Sequence, residues 1–223
     1  MSLEPRYKLK ALILTLAIVC GLVTPALAGP AEDHAEGTRH NARGDVVAAM
    51  PLFRRAADAG HSGAQAALAD LLQKADFSVE AIAYFRKSAE QGNIEGQYGL
   101  AAMLAMGEGT GQNLSEARKY FTAAAEKGHQ PSINELASSY LTGGLGIEES
   151  ERKGPEALRW IRLSAENGFR PSMEALSKAY RAGDYGLVTD TKLAEAWADK
   201  ASKSSGAQNR RRSAKKAISL EKQ

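Results

Sequence analysis

Four glycines set the frame for everything else in this 223-residue chain. Gly60, Gly92, Gly128 and Gly168 close the related stretches FRRAADAG, YFRKSAEQG, YFTAAAEKG and WIRLSAENG, and lie 32, 36 and 40 residues apart. Three places before each stand Ala57, Ala89, Ala125 and Ala165; seven before, Phe53, Phe85, Phe121 and Ile161; eleven before, Ala49, Ala81, Ala117 and Ala157. Eight places after each stand Leu68, Leu100, Leu136 and Leu176, followed by the small residues Ala69, Ala101, Ala137 and Ser177. A chain with this many aligned columns is a repeat array, whose units bury their apolar faces only against one another.

The columns also divide each unit. From the first alanine to the small residue after the leucine the distance is always 20 residues, whereas from that small residue to the next alanine it is 12, 16, then 20. All variation therefore falls in one connection, which contains KADF, MGEGTGQN and TGGLGIEESERKGP, two of them rich in glycine. Each unit reads as an A helix, a variable loop, and a B helix whose apolar residues recur at helical spacing. Glycine then caps the B helix, where a left-handed residue is needed. Small residues alternating with large ones let neighbouring helices approach closely. Gly37 precedes Ala49 by twelve, and LAEAWADKA (193–201) repeats the B pattern, so five hairpins are predicted over 31–59, 62–91, 94–127, 130–167 and 170–204, the outer two acting as caps. Glu36 stands in the leucine column, so the first unit is degenerate.

The two ends differ from this body. Arg6, Lys8 and Lys10 precede the apolar run ALILTLAIVCGLV, and Ala26-Leu27-Ala28 follows, the pattern of a secretory signal peptide over 1–28. That run is shorter than the roughly 20 residues a membrane-spanning helix needs, so no integral span is expected once it is cleaved. Cys20 is the only cysteine and lies inside this segment, which leaves the rest of the chain without disulfide or thiolate chemistry. A periplasmic or secreted protein stabilised by packing alone is expected. Residues 29–200 carry 19 Lys+Arg against 24 Asp+Glu, while 201–223 carry seven basic residues against Glu221 alone. The repeat domain is placed at 29–206, followed by a basic tail, disordered or frayed-helical, at 207–223. In an exported protein such a tail suits weak contact with anionic groups of the envelope and not nucleic acid.

LAAMLAMGEGTGQNLSEARKYFTAAAEKG (100–128) and LASSYLTGGLGIEESERKGPEALRWIRLSAENG (136–168) resemble Sel1-like repeats. The pattern is a leucine helix, a glycine loop, then Ala-x-x-(Trp/Tyr)-(Tyr/Phe)-x-x-Ala-Ala-x-x-Gly, and it extends over nearly all of 44–206; the first pair, with its short interval, looks more like a tetratricopeptide repeat. The resemblance implies an all-α fold, a right-handed superhelical α-solenoid of about five antiparallel hairpins. It also implies a protein-interaction scaffold or adaptor, periplasmic members being similar in regulating envelope signalling or exopolysaccharide output. The disulfide that some secreted members carry in each hairpin has no counterpart here.

No cofactor, metal or catalytic motif is read from the residues. His61 and His129 recur after capping glycines and so belong to the repeat; His34 and His40 lie six apart, the wrong spacing for an i, i+4 zinc pair. GEGTG (107–111) sits between two helices and not after a strand, against a phosphate-loop reading. By resemblance to tetratricopeptide grooves, a protein or peptide partner would lie along the A helices and meet Asp70, Gln73, Tyr98, Asn134, Glu174, Lys178 and Arg181, a set of mixed charge with an exposed tyrosine. GGLGIEESERKGP (143–155) reads as a solvated insertion. Two other classes stay open: an enzyme acting on cell-wall material, and a structural protein tethered to envelope anions through RRRSAKK.

Overall fold

The computed structural model describes residues 29–204, so the expected signal segment and basic tail lie outside the described residues. Within them the chain is helical throughout, with no strand. The helices are α1 Pro30–Ala42, α2 Val46–Asp58, α3 Ser62–Lys74, α4 Ser78–Glu90, α5 Ile94–Met106, α6 Leu114–Glu126, α7 Gln130–Thr142, α8 Pro155–Glu166 and α9 Arg170–Ala182. A 3₁₀ turn at Asp184–Gly186 leads into α10, residues 191–204. Consecutive pairs form five hairpins, the odd-numbered members being the A helices. Each hairpin packs on the next through its B helix, α2 on α3, α4 on α5, α6 on α7 and α8 on α9.

The capping column behaves as its residue type demands. Gly60, Gly92, Gly128 and Gly168 all take positive φ, between 77° and 95°, where a side chain would be strained. Two of the helices that follow, α3 and α5, start on side-chain caps: His61 Nδ1 accepts from Ala64 N at 3.1 Å and Asn93 Oδ1 from Gly96 N at 2.9 Å.

The packing unit is a large B-helix side chain set against small A-helix residues. Phe53, Phe85, Phe121 and Ile161 are buried, as are the leucines Leu68, Leu100, Leu136 and Leu176. Burial of each such side chain contributes about 1.5–3 kcal/mol. Helix α5 approaches α4 so closely that a Cβ on Gly99 would lie 2.2 Å from Phe85 Cε1, and one on Gly96 would lie 2.3 Å from Ser88 Oγ. In the first hairpin Gly37 does the same under Phe53, at 2.8 Å.

B helices of successive hairpins are tied by long side chains. Arg54 Nη1 reaches Glu80 Oε1 at 2.7 Å and Arg86 Nη1 reaches Glu116 Oε1 at 2.5 Å, the same columns one repeat on. These half-exposed pairs contribute about 0.2–1 kcal/mol each and serve mainly to set register. The next rung has Thr122 in place of arginine. Arg118 takes over, binding Glu151 Oε1 at 2.8 Å and the Tyr140 hydroxyl at 2.9 Å. The guanidinium is held protonated by the Glu151 hydrogen bond foremost, and the same partner pulls the Glu151 carboxyl below its ordinary range.

That contact corrects the reading of 143–155 as a solvated insertion. Leu145 and Ile147 are buried in the core, and Arg152 donates to the Tyr140 carbonyl at 3.3 Å and to that of Leu141 at 2.5 Å. The loop's apolar residues cover the end of α7, whose last carbonyls need donors; polar composition alone concealed two core residues among the charges.

Because Gly99 admits no Cβ, Gly99→Val will separate α4 from α5. Urea unfolding monitored by circular dichroism should show a loss of about 1–3 kcal/mol, the range for overpacking a filled core.

Candidate interaction groove

A helices of neighbouring hairpins also touch directly, α1 on α3, α3 on α5 and α7 on α9, which makes them the inner layer of the stack. Between the first three lies an open cavity of about 480 Å³. Its floor is Phe53 and Phe85, reached from the B helices between the small residues Gly63, Ala66, Ala67, Gly99 and Ala102. Polar groups stand round the rim: Thr38 and Asn41 on α1, Asp70 and Gln73 on α3, Asn93, Glu95 and Tyr98 at α5.

Three of the seven residues picked from the sequence, Asp70, Gln73 and Tyr98, therefore meet in one place. Asp70 is paired with Lys74 at 2.5 Å, and Gln73 donates to Glu108 Oε2 at 2.7 Å, so both are held at the rim. Tyr98 is not the exposed tyrosine expected; it is half-buried, its ring edge-on to Phe121 at 5.7 Å and to His129 at 4.9 Å. The capping histidine of the next hairpin supplies that second contact, which residue spacing within a single helix could not reveal.

The remaining four separate. Asn134 lies outside this cavity, its carboxamide oxygen accepting from Ser164 Oγ and Gln130 Nε2, each at 2.8 Å, so it joins α7 to α8. Glu174, Lys178 and Arg181 line a different cavity, of about 320 Å³, at the other end of the stack beside α10. Glu174 there accepts from Arg170 Nε at 2.6 Å. These two cavities are of opposite character, the first apolar with acidic rim groups and the last cationic.

Sequence reasoning missed His34. Its ring stacks 4.6 Å from His61 and 5.9 Å from Phe53, bridging the first and second hairpins at the cavity wall. Burial, then proximity to His61, lowers its pKa below the ordinary imidazole range. No group of three or more histidine, cysteine or carboxylate side chains is placed to hold a metal among the described residues. Nor is any described helix long and apolar enough to cross a membrane.

The Sel1 repeat family model matches residues 34–61, 63–93, 94–129, 131–169 and 171–205, one match per hairpin. The chain belongs to the Sel1 repeat family. Sel1 repeats generally serve as modules that bind protein partners. Among solved structures the chain is similar to a protective antigen of uropathogenic Escherichia coli displaying an SLR fold, at 25% identity and a TM-score of 0.68. The match takes in 78% of this chain but only 38% of that one, so this chain spans well under half of the antigen's length. It is also similar to a Sel1 repeat protein from Oxalobacter formigenes, at 23% identity and TM-score 0.64 over 87% and 78% of the two chains. A third structure, described as a putative sel1 repeat protein from Klebsiella pneumoniae subsp. pneumoniae, shares the fold at 18% identity and TM-score 0.55, over 85% and 96%. Comparison with curated proteins finds no relative.

The lowered His34 pKa has a definite sign. The unfolded chain takes up a proton near pH 6.5 while folded His34 resists it, so stability falls as pH drops from about 6.5 through the lowered value. Urea midpoints compared between about pH 7.5 and 5 should decline in the wild type, and His34→Gln should flatten part of that decline.

Proposed function

We propose that this Sel1 repeat chain is an exported, periplasmic scaffold that holds a segment of a protein partner in the groove between α1, α3 and α5. The cavity with the Phe53–Phe85 floor carries the reading: it offers an apolar seat for one or two side chains, ringed by fixed donors and acceptors. Recognition surfaces combine such a desolvated centre with a polar rim. Asp70, Gln73 and Tyr98 form that rim. Glu174, Lys178 and Arg181 extend the contact along the stack, and Asn134 keeps the path between them in register. The basic start, apolar run and Ala-Leu-Ala ending of residues 1–28 support export, and a scaffold in envelope signalling or exopolysaccharide output is the role in keeping with that compartment. The basic residues at 207–223 add a weak attraction to envelope anions.

The reading is non-catalytic. General acid chemistry needs a carboxyl whose pKa is raised. The described carboxyls with shifted values move the other way: Asp33 and Glu151 are lowered chiefly by arginine, and Asp45 by the Ala48 backbone N–H. That favours an interaction surface over a cell-wall enzyme.

Ala102 lines the cavity and is only partly buried, so a bulky side chain there fills the groove without entering the core. Ala102→Trp should abolish cross-linking to the partner in intact cells while leaving the helical circular dichroism unchanged. Equal partner yields from the variant and the wild type would sink the groove assignment.

A further inference from the structure

A solenoid presents at each end a face that inner repeats bury. At the start of this one, three positions of α1 that correspond to buried residues in every later A helix are open. Glu32 occupies the column of Ala64, Gly96, Ser132 and Ser172; Glu36 that of Leu68, Leu100, Leu136 and Leu176; Arg39 that of Leu71, Met103, Ser139 and Ala179. All of those later residues are buried, whereas Glu32, Glu36 and Arg39 are exposed. At the far end, Ala198 stands in the Phe53–Phe85–Phe121–Ile161 column, against which the next A helix would pack, and Ser202 in the Ala57–Ala89–Ala125–Ala165 column. Together with α9 they form the cationic cavity of about 320 Å³, a socket in the position of a sixth A helix.

We propose that the chain associates head to tail, α1 of one copy seating in the α9–α10 socket of the next, so that the stack continues across the junction. The charges agree with this occupant. Lys178 and Arg181 are exposed and form no ion pair among the described residues, while the arriving face carries Glu32 and Glu36. The repeat register agrees too. His34 and Tyr98, six residues into their units, touch His61 and His129, one residue into the following units. The same offset of five places Arg181, thirteen residues in, against Glu36, eight residues in, and Lys178 beside Glu32. Arg39 is the one like charge on the arriving face. Residues 205–223 are a poor rival for the socket, because six basic residues against Glu221 would meet Lys178 and Arg181 with repulsion. A contact between two different faces does not close on itself in a dimer, so it grows into a ring or a filament.

Sedimentation velocity on the protein as purified from its producing cells tests this, with circular dichroism to check folding. Mass should rise with concentration past that of a dimer, and fall at high salt, where exposed charge pairs are screened. Lys178→Glu with Arg181→Glu, or Glu32→Lys with Glu36→Lys, should each weaken association by roughly tenfold or more, since attraction becomes repulsion. Mixing the two variants should restore growth beyond one copy of each, because one junction keeps the native charges and the other, with both sides reversed, is again of opposite sign. A wild type that stays monomeric at about 1 mM, far above working levels, overturns the proposal. So does association that survives both charge reversals, or that is lost on Arg210→Glu, Arg211→Glu and Arg212→Glu but not on reversal in the socket.

Discussion

The stack rests on one kind of packing: an aromatic or branched side chain from a B helix lies against a glycine or other small residue of an A helix, in its own hairpin for Phe53 and in the next for Phe85. Phe85 under Gly99 and Phe53 under Gly37 are the tightest cases. Neither half works alone, since a larger residue on the A helix would push the helices apart and a smaller one on the B helix would leave a void. The close approach sets the spacing of hairpins. The small neighbours also bring the buried Phe53 and Phe85 rings up to the cavity, so the residues that hold the repeats together make the floor of the groove.

Charge is distributed around this core by layer. On the outer side the Arg54–Glu80 and Arg86–Glu116 pairs repeat with the hairpins and neutralise one another. Where Thr122 interrupts the series, Arg118 turns to Glu151 and anchors the long loop instead. On the inner side Asp70 pairs with Lys74 and Arg170 with Glu174, while Lys178 and Arg181 form no ion pair among the described residues. The groove itself is open, an apolar floor inside a polar rim.

Much of this was legible in the residues, because columns are a property of the chain. The five hairpins, the capping glycines and the packing role of Phe85 and Ala89 follow from spacing, since a helix of fixed pitch returns the same face at fixed intervals. The meeting of Asp70, Gln73 and Tyr98 was also within reach, as they belong to neighbouring A helices. Asn134 shows the boundary of such reasoning: it occupies a groove column, yet Ser164 and Gln130 draw its side chain into the α7–α8 contact. Leu145 and Ile147 show it again, being core residues inside a polar loop that carries no period.

The sequence by itself determined that this chain is an all-helical repeat array, where each turn falls and which residues pack, because those depend on local propensity and periodic burial. The tertiary structure alone decided which faces remain open. Whether Tyr98 stands free or leans on His129, whether His34 meets His61, and whether the last hairpin ends in a closed cap or a cationic socket all depend on distances between units, and no spacing within one unit contains them.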